Sequence, residues 1–94
     1  MSQSNLVLHI IDVRTPAEYA TGHIDQSINI DYNSPDFFQN IDNLDKEAFY
    51  IVYCGVGGRS PKASEIMKQH GFSHIINMTG GVTEWIKEGF PVVK

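Results

Sequence analysis

Four short apolar runs, separated by segments with the spacing of helices, organise the chain. Residues 6–12, "LVLHIID", are apolar apart from His9 and close on Asp12, the pattern of a buried strand. "SINI" at 27–30 reads as a short second strand. "AFYIVYC" at 48–54 is the clearest strand. Its near-continuous aromatic and β-branched run suits a strand covered on both faces, as in a parallel sheet. "HIINM" at 74–78 is the fourth.

Helix signals lie between them. In "TPAEYATG" (15–22), Thr15 caps, Pro16 fits the first turn, Glu18 completes a capping box and Gly22 ends the helix. "SPDFFQNIDNL" (34–44) predicts a short helix with Phe37, Phe38, Ile41 and Leu44 roughly on one face; both phenylalanines are expected beneath the sheet. "SPKASEIMKQHG" (60–71) predicts a helix capped by Ser60, with Pro61 first and Ala63, Ile66, Met67 and His70 at helical spacing. "GGVTEWIKEG" (80–89) predicts a last helix with Val82, Trp85 and Ile86 inward. Strands alternating with helices imply an α/β fold with a mainly parallel sheet and right-handed crossovers.

Length and composition narrow the class. A chain of 94 residues, 41% apolar, is expected to form one domain over 1–94 with one modest core. The net charge is −4 and nothing basic is clustered, which argues against nucleic acid. The apolar run near the start is too short to span a membrane, and no cationic segment precedes it. The cytoplasm is therefore the expected compartment. A single cysteine excludes an internal disulfide, a CxxC pair and a cysteine-rich zinc site. Four scattered histidines without ligand spacing argue against any metal. No cofactor is expected.

That cysteine carries the candidate chemistry. Cys54 stands at the carboxyl end of the strongest strand, where open α/β sheets bind ligands. Gly55, Val56, Gly57, Gly58 and Arg59 follow, and a helix begins near Ser60. Glycines permit positive φ, so successive N–H groups can converge into an anion-binding nest. The helix N-terminus and Arg59 add positive charge. A free thiol ionises near about 8.5, and such surroundings lower that to roughly 3.5–7.5, which predicts a nucleophilic thiolate. A lone cysteine more often serves as a small buried hydrophobe; its place ahead of three glycines and an arginine favours chemistry. Neither GxxxxGK[ST] nor GxGxxG is present, so a nucleotide loop is disfavoured.

These residues resemble the rhodanese family of sulfurtransferases in its small single-domain form. "CGVGGRS" is similar to the family's Cys-x-x-Gly-x-Arg-Ser/Thr pattern through Cys54, Gly57, Arg59 and Ser60. "IIDVRTPAEYATGHI" (10–24) resembles its N-terminal signature, "SINI" the strand after it, and "MTGGVTEWIKEGFPVV" (78–93) its C-terminal one. The resemblance implies a three-layer sandwich with helices on both faces of the sheet. Gln26-Ser27 stands where the family usually has Gly-Ala, in what should be a turn remote from the thiol. Many members carry an extra strand and helix ahead of the Asp-Val-Arg strand, where this sequence has five residues, so four or five strands are expected.

The resemblance also implies the reaction. Cys54 would take the outer sulfur of a thiosulfate-like donor as a persulfide and pass it to cyanide, a thiol or a protein. Gly55, Val56, Gly57, Gly58, Arg59 and Ser60 would bind the substrate, and Arg59 would also attract a sulfonate. Asp12 and Arg14, at the same sheet edge, would support the site. An Arg14–Glu18 ion pair is the preferred reading of Arg14, and Asp12 is expected to tie loop amides together. His23 is expected to make a structural hydrogen bond. Cysteine phosphatases of related fold place five residues between Cys and Arg; here four intervene, a smaller cradle suited to one sulfur atom. The alternative is a sulfur-relay or non-enzymatic interaction module of the same fold.

Overall fold

The computed structural model describes residues 8–56 and 58–94. Among these residues eight elements alternate: β1 (Leu8–Asp12), α1 (Pro16–Thr21), β2 (Ser27–Asn29), α2 (Phe37–Asp42), β3 (Phe49–Tyr53), α3 (Ser60–Gln69), β4 (His74–Asn77) and α4 (Gly81–Lys87). Leu6 and Val7 of the expected first strand, and Gly57 of the loop, lie outside the described residues. The sheet has four strands in the order β2-β1-β3-β4, every pairing parallel. The chain first winds one way from β1 to β2, then the other way from β3 to β4. The switch falls between the carboxyl ends of β1 and β3, where such sheets place their ligands.

The period-2 alternation of the strands divides the core. Ile11, Tyr50 and Val52 face α2 and α3, packing with Phe37, Ile41, Ala63, Met67 and Phe72. Ile10 and Tyr53 face the other way, with Ile24, Val82, Met78 and Trp85. Helices thus cover both faces, as expected.

Local signals at α1 hold in detail. Thr15 and Glu18 form the complete capping box, with Pro16 in the first turn. α1 buries no residue fully, and its Tyr19 Oη donates to the Ser27 carbonyl at 2.6 Å.

Other expectations are corrected. Arg59, not Ser60, occupies the position before α3; Ser60 is the first helical residue and fully buried. Phe38 is 54% exposed, because α2 has only six residues and turns just Phe37 and Ile41 inward. Ile86 is 53% exposed, whereas Val82 is buried and Trp85 half-buried, its indole N–H donating to Pro91 O at 2.8 Å.

Gln26 lies at φ 71, and no other non-glycine described residue has positive φ. The turn geometry there asks for glycine, the residue usual in the resembled family.

Candidate active site

Three helix N-termini and the ends of β1 and β3 meet at the switch point. Cys54 follows β3, is 1% exposed and is one of the buried residues of the larger core cluster. The sulfur is nonetheless in polar company. The Ser60 N–H, at the start of α3, donates to Cys54 Sγ at 3.4 Å, and Ser60 Oγ lies 3.6 Å from the same atom. A helix N-terminus leaves its first N–H groups without intrahelical partners, so α3 has donors to spare for a sulfur placed there.

The loop owes its course to α4. The Val82 and Thr83 N–H groups donate to the carbonyls of Cys54 (2.8 Å) and Gly55 (3.0 Å). Those two bonds fix the carbonyls of Cys54 and Gly55 against α4, on either side of the peptide that begins the loop. Gly81 is indispensable to this approach: at φ +60, a Cβ on it would stand 2.2 Å from the Cys54 carbonyl oxygen. The sequence reads the Gly80-Gly81 doublet as a helix start and as part of the C-terminal signature, without its seat against the cysteine loop. The doublet itself was the available signal, since two adjacent glycines ahead of a helix mark close backbone approach.

The loop glycines act differently from expectation. Neither Gly55 nor Gly58 is among the positive-φ residues, so among the described residues positive φ does not shape this loop. Gly55 lies between the two arginines: a Cβ there would make ordinary contacts, 3.6 Å from Arg59 Nη2 and 3.9 Å from Arg14 Cδ. Gly58 faces open space, and Val56 is 76% exposed at the mouth.

The charges pair otherwise than the sequence suggested. Arg14 bonds Asp12, not Glu18: Nε lies 3.0 Å from both carboxylate oxygens and Nη2 lies 2.7 Å from Oδ2. Asp12 is fully buried and also accepts one loop amide, that of Arg14, at 2.9 Å. Arg14 Nη2 donates further to Gly22 O at 2.7 Å, and its guanidinium stands 5.9 Å from the centroid of the Tyr53 ring. Burial acts against the Arg14 charge, yet the bonds and charge of Asp12 prevail and its pKa is raised. Asn29, another residue sequence reasoning missed, laces the turn by donating to the carbonyls of Asp12 and Arg14.

Glu18 pairs with Arg59 instead, in a two-pronged contact at 2.8 and 3.0 Å. The Arg59 hydrogen bonds are the chief cause that holds the Glu18 carboxyl down to about 2. Glu18 in turn raises the Arg59 pKa, with smaller contributions from Cys54 and Asp12. His23 makes the expected structural contact, its Nδ1 2.9 Å from Tyr19 O. Beneath the site, Tyr53 Oη accepts from the Ile24 N–H at 3.1 Å, and burial pushes its phenol up to about 12.

Fold and site together define a parallel α/β domain with a cysteine loop at its switch point. The chain belongs to the rhodanese-like domain family, whose model matches residues 1–88. A Saccharomyces cerevisiae protein named thiosulfate:glutathione sulfurtransferase is 34% identical over 96 residues, covering 90% of this chain and 68% of its own length. The Arabidopsis thaliana mitochondrial protein named HIGH ARSENIC CONTENT 1 is 33% identical over 90 residues, covering 85% of this chain. This chain spans only about half of that protein, 53%. A rhodanese-related protein from Thermoplasma volcanium has a similar crystal structure, with a TM-score of 0.84 and 37% identity, over 92% of this chain and 83% of that one. Sulfurtransferases among the relatives support a sulfurtransferase role. Among the described residues, no helix is long and apolar enough to cross a membrane.

Proposed function

We propose that the protein moves a sulfane sulfur from thiosulfate, or a donor like it, to a nucleophilic acceptor through a persulfide on Cys54. The observation that carries this reading is the position of Cys54 Sγ, after β3 and 3.4 Å from the first N–H of α3. In the first half-reaction the Cys54 thiolate attacks the outer sulfur of thiosulfate. A sulfur–sulfur bond forms on Cys54, the donor's own sulfur–sulfur bond breaks, and sulfite leaves with the electron pair. In the second, the acceptor attacks the outer sulfur of the persulfide and the Cys54 thiolate is restored. With cyanide the product is thiocyanate.

The protein supplies position and electrostatics. Donors fixed before the reaction stabilise negative charge on sulfur without reorganising. Ser60 provides a fixed N–H and a nearby hydroxyl; Gly55, Val56, Gly57 and Gly58 provide the amides of the loop. Asp12, which accepts from the Arg14 N–H and guanidinium, fixes the turn after β1 at the same sheet edge. The yeast relative's name pairs thiosulfate with a thiol acceptor, which makes a small thiol the acceptor to try first.

Two half-reactions through one covalent intermediate predict ping-pong kinetics. Thiosulfate and cyanide should give thiocyanate with parallel double-reciprocal lines, and Cys54→Ser should abolish turnover. Converging lines, or activity surviving in Cys54→Ser, would refute the mechanism. A persulfide that forms but resists cyanide and small thiols would point to the relay form of the alternative.

A further inference from the structure

We infer that Glu18 sets donor preference at this site by cancelling the Arg59 charge beside Cys54; the inference rests on the sulfur-transfer reading above. Its ground is the pairing of charges. Two arginines approach the loop, and the space a Gly55 side chain would fill is bounded by both. Arg14 is committed to Asp12 and to the Gly22 carbonyl. Both Nη atoms of Arg59 are committed to the two oxygens of Glu18. These four side chains therefore sum to zero net charge.

Glu18 is firmly seated for the role. Its Oε1 also accepts from the Thr15 N–H at 3.0 Å and the Thr15 hydroxyl at 3.1 Å, so α1's capping box aims the carboxylate at Arg59. A donor arriving at Cys54 meets the N-terminus of α3, and both arginines shown beside the loop are already paired with carboxylates. Dipoles alone offset less of the cost of desolvating a dianion such as thiosulfate than of a monoanion, because that cost rises faster than the charge and both arginines beside the loop are already paired. The favoured donors are sulfane sulfurs carrying one negative charge, such as organic thiosulfonates or hydropersulfides.

Donors with the same reacting bond and different charge provide the test. Methanethiosulfonate, with one charge, delivers its outer sulfur to Cys54 and releases methanesulfinate; thiosulfate, with two, releases sulfite. The measured quantity is kcat/KM for each donor with cyanide as acceptor. Glu18→Gln should raise the thiosulfate value relative to the thiosulfonate value by about tenfold at low salt. Added salt should erase that gain. A merely structural role for Glu18 would lower both values together and leave the ratio fixed, which would overturn the inference. Wild-type protein gives a second reading independent of the variant's folding. Its thiosulfate kcat/KM should change less than about twofold between low and moderate salt, and a steep fall would contradict a neutralised site. Should neither donor load Cys54 in the wild type, it is the sulfur-transfer reading itself that fails.

Discussion

Two helix N-termini converge on Cys54 and Gly55 and do opposite work. α3 directs its first N–H at a side chain, the sulfur of Cys54. α4 directs two N–H groups at main chain, the carbonyls of Cys54 and Gly55. Both ends carry the same kind of unsatisfied donors and the same sign of dipole. The difference lies in what is placed before them. Donors satisfied by carbonyls are spent on holding the loop, whereas a donor facing a thiol is available to stabilise charge that appears during reaction. A cradle for sulfur thus needs two helix ends, one to set the backbone and one to face the sulfur.

The largest break in that comparison should come from Gly81→Ala. The added methyl would stand 2.2 Å from the Cys54 carbonyl, at a φ of +60. The loop or α4 must shift, at a cost of about 2–4 kcal/mol, with most sulfur transfer lost. Urea denaturation and thiocyanate release measure the two effects. Ser60→Ala acts on the other helix end and keeps its N–H. Loss of one hydroxyl contact to a charged sulfur should cost about 1 kcal/mol in the transition state, or roughly a fivefold fall in kcat/KM, with the denaturation midpoint little changed. If Ser60→Ala unfolds the protein instead, the hydroxyl belongs to the core and not to the site.

A change remote from both helix ends sharpens the contrast. Gln26→Gly relieves the left-handed strain at φ 71 and should stabilise the fold by about 0.5–1 kcal/mol without altering kcat/KM. The smallest effect is that of acid. The Glu18 carboxyl titrates near 2 in the folded protein, against an ordinary 4.5. Its pair with Arg59 therefore contributes stability above about pH 4.5 and loses it as the pH falls toward 2. Because both side chains are partly exposed, the loss should stay under about 1 kcal/mol. A urea midpoint that falls more steeply in wild type than in Glu18→Gln over that range would show it.

What was legible in the sequence follows from local physics. The four strands, the Thr15–Glu18 box and the exit of Cys54 at a strand end all depend on near neighbours in the chain. What was not legible depends on rotation and on distant partners. Arg14 and Glu18 sit four apart, a spacing that pairs charges only on a helix, and Arg14 precedes α1. Freed of that geometry, Arg14 folds back on Asp12, and Glu18 meets Arg59 from 41 residues away. Phe38 and Ile86 were misplaced because helices of six and seven residues offer too few turns to fix which face is buried. The seating of α4 on the cysteine loop was hidden for a related reason: backbone-to-backbone bonds leave only glycine as their trace.

The most direct measurement is the mass of the peptide bearing Cys54 after the protein meets thiosulfate. The account predicts a gain of one sulfur atom on Cys54 in the wild type, removed again by cyanide and greatly reduced in Gly81→Ala. A peptide that stays unmodified in the wild type, while the protein still yields thiocyanate, would contradict it.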